Sequence, residues 1–334
     1  MNDDANIWAL VLAAGEGSRL RGLTTTVNGL AVPKQFCSLR GGSTLLQEAL
    51  QRARAVALPE RVCSIVAAQH RVWWANACND LPERNVIVQP ENRGTAYGIL
   101  LPLLHIAARD PDATVVLLPA DHYVRDEPVL AKSLRRAAAL AAANPRTLYL
   151  LGIEPEAPDT ELGYILPRDV SIDEAPQVLQ FLEKPAPARA RALLRGGALW
   201  NAFIIAASVQ SFIELYQRRF PQDLRRMREA VHLDGDRTRR PLATVELYRD
   251  LATLDFSRNV LEGSTDNLRV LRVPECGWTD LGTPQRVAAT LESLQPIVCL
   301  EEEWEPTGAG LNLAAQHWRL SMRRRVAAAR GAVA

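Results

Sequence analysis

The sequence predicts an α/β fold with a Rossmann-like, open, mixed but mostly parallel sheet flanked by helices. Short apolar segments with little alternation suit strands that are buried on both faces. Helical patterns separate these segments, as βαβ units require. In the first half of the chain the predicted strands are residues 7–14, 62–68, 85–88, 114–119 and 147–151, and the predicted helices are residues 43–56, 95–109 and 127–143.

The second half is less regular, because turns rich in proline and glycine interrupt it. No internal repeat or low-complexity linker divides the chain, so we expect one large domain over residues 1–290 and a short, partly helical tail over residues 291–334. The basic run 323–325 in this tail is interpreted as a solvated helix end, with an interaction arm as the alternative. The predicted strands are residues 163–167, 178–183, 203–207 and 267–273, and the predicted helices are residues 208–220, 222–231, 242–251 and 284–294.

The composition excludes several classes of protein. Thirty-nine basic and 38 acidic residues give a net charge of +1, which argues against a broad basic field for nucleic acid. Five cysteines without a C-x-x-C pair indicate neither a disulfide framework nor a zinc site. No segment reaches the roughly 18 apolar residues of a membrane span, and the acidic start Met-Asn-Asp-Asp does not resemble a secretory leader. We therefore expect a cytoplasmic protein that binds neither nucleic acid nor membrane.

A glycine loop follows the first predicted strand directly, in the segment Ala14-Gly15-Glu16-Gly17-Ser18-Arg19-Leu20. Such glycines let the backbone N–H groups approach a polyanion, although a simple turn is the alternative. The dinucleotide pattern needs glycine where Leu20 stands, which disfavours an NAD(P)-dependent oxidoreductase, and the P-loop pattern is absent. Arg19 and the lysine of Pro33-Lys34-Gln35-Phe36 are charges that suit a triphosphate.

Further motifs follow at intervals along the chain: Gln89-Pro90-Glu91-Asn92-Arg93-Gly94-Thr95-Ala96, Leu118-Pro119-Ala120-Asp121-His122, Gly163-Tyr164, Phe181-Leu182-Glu183-Lys184-Pro185, Trp200-Asn201, Asp255-Phe256-Ser257 and Trp278-Thr279-Asp280-Leu281-Gly282. Together with the glycine loop, this ordered series resembles the sugar-phosphate nucleotidyltransferases over about residues 7–290, most closely the mannose-1-phosphate guanylyltransferases, or GDP-mannose pyrophosphorylases. The resemblance implies a glycosyltransferase-A-like catalytic domain over residues 1–290. It also implies Mg²⁺-dependent transfer of a nucleoside monophosphate from a nucleoside triphosphate, with GTP favoured, to a hexose 1-phosphate. A homodimer is compatible with this expectation.

The resemblance also assigns a role to each matching residue. It implies that Arg19 and Lys34 are catalytic. Only three of the 39 basic residues are lysines, and Lys34 and Lys184 both fall in the motifs. The nucleotide-binding residues would be Ala14, Gly15, Gly17, Gln89, Asn92 and Thr95, and the residues that bind the sugar phosphate would be Gly163, Glu183, Lys184 and Asn201.

Two aspartates are the candidate Mg²⁺ ligands. Asp121 follows the strand at 114–119 and so lies at the carboxyl edge of the predicted sheet, where open α/β sheets bind ligands. Mg²⁺ commonly takes one or two carboxylates together with phosphate oxygens. Asp280 matches the second acidic position of the resembled family. The alternatives are a cap for the helix near residue 127 and a favourable charge at the start of the helix near residue 284.

The chain also departs from the resembled family. The stretch between Leu23 and Lys34 is longer than usual, Gly94 replaces asparagine, and Ala202-Phe203 stand where Ser-Gly is expected. These changes leave the base and the sugar open. The alternatives are a UTP- or dTTP-dependent glucose-1-phosphate nucleotidyltransferase and a catalytically idle relative that senses nucleotide sugars.

Overall fold

A nine-stranded sheet forms the centre of the molecule. The structure is a computed structural model, and it describes residues 6–168, 174–294 and 311–313. The predicted mixed, mostly parallel sheet flanked by helices is confirmed. Its strands are β1 (Ile7–Ala13), β3 (Val62–Ala67), β4 (Val86–Gln89), β5 (Thr114–Pro119), β6 (Leu148–Ile153), β7 (Tyr164–Pro167), β8 (Val178–Leu182), β9 (Leu199–Ser208) and β10 (Leu268–Arg272), while β2 (Cys37–Ser38) pairs with β11 (Leu311–Asn312) in a separate small sheet.

The order of the strands places a crevice at the middle of the sheet. Along the sheet the strands run β10-β6-β9-β5-β1-β3-β4. The pairs β5–β1, β1–β3, β3–β4 and β10–β6 are parallel, and β9 lies antiparallel between β5 and β6. After β1 the chain adds β3 and β4 on one side of β1, and it then places β5 on the other side. The carboxyl ends of β1 and β5 therefore form a topological switch point, where such sheets bind ligands.

Helices cover both faces of the sheet. Alternate residues of β1 point to opposite sides, so that Ala9 and Val11 face one apolar core whereas Trp8 and Leu10 face the other. The helices are α1 (Arg21–Thr24), α2 (Leu45–Arg54), α3 (Arg71–Ala77), α4 (Thr95–Arg109), α5 (Glu127–Ala143), α6 (Pro187–Arg195), α7 (Val209–Arg219), α8 (Pro221–Asp234), α9 (Leu242–Asp250) and α10 (Pro284–Ser293), with a π-helix at Phe256–Leu261. The first core also contains α2 and α5, and the second contains α4, α7, α8 and α9.

Most predicted elements are present with small shifts at their ends. The helices at 95–109 and 127–143 and the strand at 114–119 have the predicted limits. The short helices α1, α3 and α6 and the π-helix were not predicted. The strand β9 was predicted to begin at Phe203, whereas it starts at Leu199 because Leu199 and Trp200 pair with β7. The basic run at 323–325 lies outside the described residues, and the predicted domain boundary stays a prediction.

Two predictions from composition concern the cysteines and membrane-spanning helices. The four cysteines in the described ranges are free and buried, and Cys299 lies outside those ranges. Within residues 6–168, 174–294 and 311–313, no helix combines the length and the apolar character that crossing a membrane requires.

The long stretch before Lys34 folds locally. After α1, the backbone forms a small hairpin in which Thr25 and Ala31 make an antiparallel bridge and the N–H of Thr26 donates to the carbonyl of Leu30 at 2.8 Å. Val27 and Leu30 at its tip are exposed. The additional residues therefore extend outward from the glycine loop.

A buried aspartate fixes the start of α9. Asp234 is 3% exposed and accepts hydrogen bonds from the backbone N–H groups of Leu242, Ala243 and Thr244 at 2.7–2.8 Å. The Thr244 hydroxyl donates to the same carboxylate at 2.7 Å. Hydrogen bonds to a buried charged group are stronger than neutral ones, so this side chain ties the segment after α8 to the first turn of α9.

Replacing Asp234 by alanine is expected to destabilise the protein by about 2 to 4 kcal/mol, because three backbone donors lose their acceptor in a buried place. Urea unfolding followed by circular dichroism measures the change. Asp236→Ala is the matched control, since Asp236 is exposed and makes no ion pair in the described chain. A loss below about 0.5 kcal/mol for Asp234→Ala, the usual range of a surface substitution, would contradict the assigned role.

Candidate active site

A cavity of about 510 Å³ opens at the switch point between β1 and β5. Two of the predicted site residues, Gly17 and Lys34, are not among its lining residues. The twelve predicted site residues that line it are Ala14, Gly15, Arg19, Gln89, Asn92, Thr95, Asp121, Gly163, Glu183, Lys184, Asn201 and Asp280.

The Pro-Lys-Gln-Phe element supports the glycine loop through hydrogen bonds and close packing. The side-chain amide of Gln35 is buried and donates to the carbonyl oxygens of Ala13 at 2.9 Å and Gly15 at 2.7 Å. Gly17 has a φ of 61°, and a Cβ there would lie 2.9 Å from the backbone nitrogen of Lys34. Glycine is therefore required at 17 both by the left-handed backbone and by close packing. Gly17 supports the loop without lining the cavity.

Lys34 lies beneath the two candidate metal ligands. Its side chain is buried, its Nζ is 2.9 Å from Oδ2 of Asp121, and it donates to the backbone carbonyl of Asp280 at 2.6 Å. Burial raises the pKa of Asp121, but the charge of Lys34, followed by that of His122, outweighs burial and holds the pKa below its usual value. Lys34 thus keeps Asp121 ionised and joins two segments of the site.

A pair of backbone hydrogen bonds brings the two aspartates together. The N–H of Tyr123 donates to the carbonyl of Thr279, and the N–H of Thr279 donates to the carbonyl of Tyr123, both at 2.9 Å. This bridge joins the segment after β5 to the segment before α10. Asp121 and Asp280 consequently face one cavity although they are far apart in sequence.

His122 stabilises the same junction. The indole N–H of Trp278 donates to Nδ1 of His122 at 3.2 Å, and the two rings pack edge to face. Burial lowers the pKa of His122 to about 4 against the opposing effect of Asp121, so the imidazole is neutral at pH 7. Trp278 therefore fixes the orientation of the His122 ring.

An arginine that the sequence did not single out contacts Asp280. Arg286, in the first turns of α10, forms ion pairs with Asp280 and with Asp159. Burial raises the pKa of Asp280, whereas His122 and Arg286 lower it, and the net shift is downward. Nearby, Glu161 pairs with Arg19 at 2.9 Å. No sequence motif pointed to Arg286, Asp159 or Glu161, because their importance comes only from contacts between distant segments.

Three of the predicted nucleotide-binding residues, Gln89, Asn92 and Thr95, lie on the β4–α4 side of the cavity. Gln89 is 2% exposed, and its Nε2 donates to the carbonyl of Glu91 at 2.7 Å. Its Oε1 is buried and accepts no hydrogen bond from any described residue. Asn92 accepts from the N–H of Gly94 at 3.0 Å, and Thr95 accepts from the N–H of Phe256 at 2.8 Å. The side chains of Gln89, Asn92 and Thr95 are therefore held in place near the N-terminus of α4.

The predicted sugar-phosphate residues lie on the opposite side. The N–H of Asn201 donates to the carbonyl of Gly163 at 2.8 Å, which joins β9 to the start of β7. A Cβ on Gly163 would lie 2.6 Å from Oε2 of Glu183 and 3.3 Å from Cβ of Asn201, so a larger residue would displace that carboxylate from its present position. Lys184 follows and also lines the cavity.

Three residues other than glycine adopt a left-handed backbone conformation at or beside the cavity. The φ angles are 49° for Lys184, 55° for Phe203 and 49° for Leu281. Lys184 and Phe203 line the cavity, and Leu281 follows Asp280 directly. Strained backbone of this kind is held by the surrounding structure and is frequent at functional sites.

Lys184→Gly is expected to give a protein that is about 1 kcal/mol more stable than Lys184→Ala, since only glycine adopts this φ without a steric cost. Both variants remove the same charge, so the comparison reports the backbone strain at position 184 less the greater unfolded-state entropy of glycine. Chemical denaturation of both variants measures the difference. An alanine variant more stable than the glycine variant, as at an unstrained position, would contradict the strain.

Glu183 gives the site a pH dependence. Burial and the neighbouring Asp255 raise its pKa above the ordinary value of 4.5, against the opposing effect of Lys184. The folded protein therefore holds this proton more tightly than the unfolded chain does. The resulting stability is complete below pH 4.5 and is lost as the pH rises through the folded-state pKa.

Glu183→Gln is therefore expected to raise the melting temperature at pH 8 and to have a much smaller effect at pH 4, because glutamine does not ionise. Thermal unfolding at the two pH values measures this. Glu229→Gln, at an exposed position of α8 whose side chain makes no ion pair in the described chain, is the control for loss of a carboxylate. An equal effect of Glu183→Gln at both pH values would contradict the raised pKa.

Two carboxylates at the cavity are available to a metal ion. In the described part of the chain, no group of three or more His, Cys, Asp or Glu residues could form an all-protein metal cage. Asp121 and Asp280 offer two carboxylates beside an open cavity, and each carboxylate has several lone-pair sites. This set fits Mg²⁺, which binds one or two carboxylates and completes its shell with phosphate oxygens and water.

Comparison with known proteins places this geometry in a family. Residues 8–295 match the nucleotidyl transferase family. The chain is 30% identical over 293 residues to the mannose-1-phosphate guanylyltransferase of Escherichia coli K12, covering 84% of this chain and 58% of that protein. It is also 30% identical to the alginate biosynthesis protein AlgA of Pseudomonas aeruginosa, covering 82% of this chain and 56% of that protein. The chain thus spans somewhat more than half the length of these relatives.

Solved structures give the same assignment. A Thermus thermophilus protein described as a mannose-1-phosphate geranyltransferase superposes with a TM-score of 0.70 at 28% identity, covering 83% of this chain and 76% of that one. A UDP-glucose pyrophosphorylase superposes with a TM-score of 0.55 at 13% identity, covering 86% and 97%, which supports the fold alone. From the family match, which extends from β1 through α10, we conclude that the chain belongs to the nucleotidyl transferase family.

Proposed function

We propose that the protein transfers a nucleoside monophosphate from a nucleoside triphosphate to a hexose 1-phosphate and releases pyrophosphate, with GTP and mannose 1-phosphate as the preferred pair. One observation carries the proposal. Asp121 and Asp280 are held side by side at the cavity by the Tyr123–Thr279 bridge and are kept ionised by Lys34 and Arg286. The guanylyltransferase name of the E. coli relative supports the choice of base and sugar.

The reaction is a substitution at the α-phosphorus. A phosphate oxygen of the hexose 1-phosphate forms the new P–O bond, while the bond from the α-phosphorus to the oxygen bridging it to the β-phosphorus breaks and pyrophosphate leaves with that electron pair. The nucleophile is already an anion, so no strong general base is needed. The protein has to align two polyanions and offset their repulsion.

The described side chains are suitably placed for that task. The backbone of the Gly15 loop and the guanidinium of Arg19 would hold the triphosphate, for which Arg19 has to leave Glu161. Lys184 and Asn201, across the cavity, would hold the sugar phosphate. Lys34, which does not line the cavity, would act by fixing the position of Asp121 and of the backbone at Asp280.

Mg²⁺ is the proposed cofactor, with Asp121 and Asp280 as its protein ligands. When bound, the ion would supply positive charge to the phosphates. The ion pairs with Lys34 and Arg286 keep both carboxylates ionised, and only ionised carboxylates bind a cation well.

Gln89 supports a base with N–H donors. Its buried Oε1 accepts no hydrogen bond from the described residues, and an unsatisfied buried acceptor costs about 1 to 3 kcal/mol. Guanine carries two neighbouring donors, N1–H and the 2-amino group, that could satisfy this oxygen. Since adenine, cytosine, uracil and thymine also carry N–H donors, Gln89 does not select guanine, and the choice of guanine rests on the relatives.

A pyrophosphate-release screen of the purified protein tests the proposal. Four nucleoside triphosphates are combined with mannose, glucose and N-acetylglucosamine 1-phosphates, with and without Mg²⁺. We expect the fastest release with GTP and mannose 1-phosphate, and none without the metal. A better rate with UTP or dTTP and glucose 1-phosphate would favour the same-class alternative. Binding of nucleotide sugars without turnover would favour the idle, sensing relative. Cytoplasmic location and a homodimer stay predictions.

A further inference from the structure

A second cavity, of about 460 Å³, lies at the opposite end of α4 from the active site. We call it the α4–α8 cavity. Its walls come from the C-terminal half of α4, from α7 and α8, and from the segment 235–238. The proposed reaction uses none of these residues. The helix α4 joins the two cavities, since Thr95 and Gly98 line the active site whereas Leu104 and His105 line the second cavity.

The cavity combines an apolar wall with an excess of positive charge. Leu104, Ala107, Ile213 and Val231 supply apolar surface. The charged residues among the lining are Arg84, Arg109, Arg228 and Asp236, three positive charges against one negative charge. Small-molecule sites commonly have this composition, a mostly apolar concavity with a few fixed polar groups.

Two of the arginines are available to a ligand. Arg109 is engaged, because it donates to Oδ1 of Asn85 at 2.7 Å and stacks on Trp8 at 4.7 Å from the ring centre. Arg84 and Arg228, in contrast, are exposed and form no ion pair with any residue in the described ranges. Their guanidinium groups are therefore free to bind an anion.

A buried histidine adds a polar group without a partner. His105 is 6% exposed and lines the cavity, and its ring nitrogens hydrogen-bond to no described residue. Burial, reinforced by the charge of Arg109, lowers its pKa to about 4, so the ring is neutral at pH 7. A neutral imidazole can donate one hydrogen bond and accept another. A buried polar side chain without a protein partner normally has one in a ligand or in water.

The floor of the cavity is fixed in place. The N–H of Val88 in β4 donates to the carbonyl of Thr238 at 2.9 Å, and the Thr238 hydroxyl donates to the carbonyl of Glu83 at 3.3 Å. Thr238 is itself buried. The segment 235–238 is thus bound to the edge of the sheet, which gives the cavity a defined shape.

We propose that the α4–α8 cavity is a second binding site, for a small organic anion with a flat apolar body and one phosphate or carboxylate group. The apolar body would cover Leu104, Ile213 and Val231, the anionic group would meet Arg84 and Arg228, and His105 would hydrogen-bond to a polar atom of the ligand. This inference is independent of the proposed reaction, because no lining residue belongs to the active site.

Isothermal titration calorimetry of the full chain with 1-naphthyl phosphate tests the proposal. This probe has a flat apolar body and a phosphate but is not a nucleotide. We expect saturable binding of one equivalent, and much weaker binding of inorganic phosphate, which cannot cover the apolar wall. No binding of 1-naphthyl phosphate at millimolar concentration, or equal affinity for the two probes, would overturn the proposal.

Variants locate the bound probe. Arg228→Glu is expected to weaken binding about tenfold or more, since it replaces an attractive charge by a repulsive one. Ala108→Trp, at the exposed rim, is expected to weaken binding by blocking the entrance. Arg225→Glu makes the same charge change on an exposed position of α8 outside the cavity and should leave the affinity unchanged. Lys184→Ala, in the active site, should also leave the affinity for the probe unchanged. Unchanged binding in both cavity variants, or an equal loss in Lys184→Ala, would place the probe elsewhere.

Discussion

Lys34→Met is expected to lower turnover by about 10² to 10³, because one preorganised charge is removed from the phosphate-binding region. Methionine keeps much of the length and volume of the lysine stem but cannot neutralise Asp121 or donate to the carbonyl of Asp280. The carboxylate would then repel the incoming phosphates, and the segment carrying Asp280 would lose one of its attachments. Steady-state pyrophosphate release, measured at saturating substrates, gives the change in kcat.

The same substitution is also expected to destabilise the protein, by about 3 to 5 kcal/mol if the remaining carboxylate behaves as a fully buried one and by less in proportion to its exposure. Activity must therefore be measured well below the unfolding transition. Lys132→Met is the matched control, since Lys132 is exposed on α5 and outside both cavities. Turnover of the Lys34 variant within threefold of the Lys132 variant would remove Lys34 from the catalytic machinery.

Asp121→Asn is expected to lower turnover to a similar extent, but for a different reason. Asparagine preserves the shape of the side chain and removes the charge that would hold the metal ion, so the loss should include weaker binding of Mg²⁺. Lys34 would be left without its carboxylate partner, although it keeps the carbonyl of Asp280. Turnover measured across a range of Mg²⁺ concentrations separates the effect on metal binding from the effect on kcat.

Asp126→Asn provides the comparison for this variant. Asp126 is exposed and follows on the same segment after β5, and its side chain caps no backbone group of α5. We expect it to behave like the unchanged protein at every Mg²⁺ concentration. If Asp121→Asn showed the same rate and the same metal dependence, Asp121 could not be a metal ligand.

The fold could be predicted from the sequence because its information is local. Strands buried on both faces are continuous apolar runs, and the helices between them carry apolar stripes, so neither needs knowledge of distant partners. The glycine loop and the position of Asp121 follow for the same reason, since each comes directly after a strand. The short helix α3 and the π-helix were missed because their few residues give no periodicity.

The ion-pair arrangement of the site could not be predicted in this way. Arg286 belongs to a helix near the end of the described chain, and its partners Asp280 and Asp159 reach it only after β9, β10 and the Tyr123–Thr279 bridge have formed. The sequence indicated that Lys34 is functional but suggested direct contact with the triphosphate. The structure places it against Asp121, where its charge keeps a partly buried carboxylate ionised.

The position of β9 has a consequence for how the chain folds during synthesis. Strands β5 and β6 follow each other in sequence, yet β9 lies between them and pairs with both. Until β9 has been synthesised, a nascent chain can form the β5-β1-β3-β4 part of the sheet and the β7–β8 pair, whereas β6 has no partner. The exposed strand edges can then pair with other chains. We expect a ribosome-stalled chain that ends at residue 198 to aggregate or to recruit chaperones, and one that extends past β10 to become protease-resistant. Closing the sheet and assembling the active site would therefore be late steps of the same folding event.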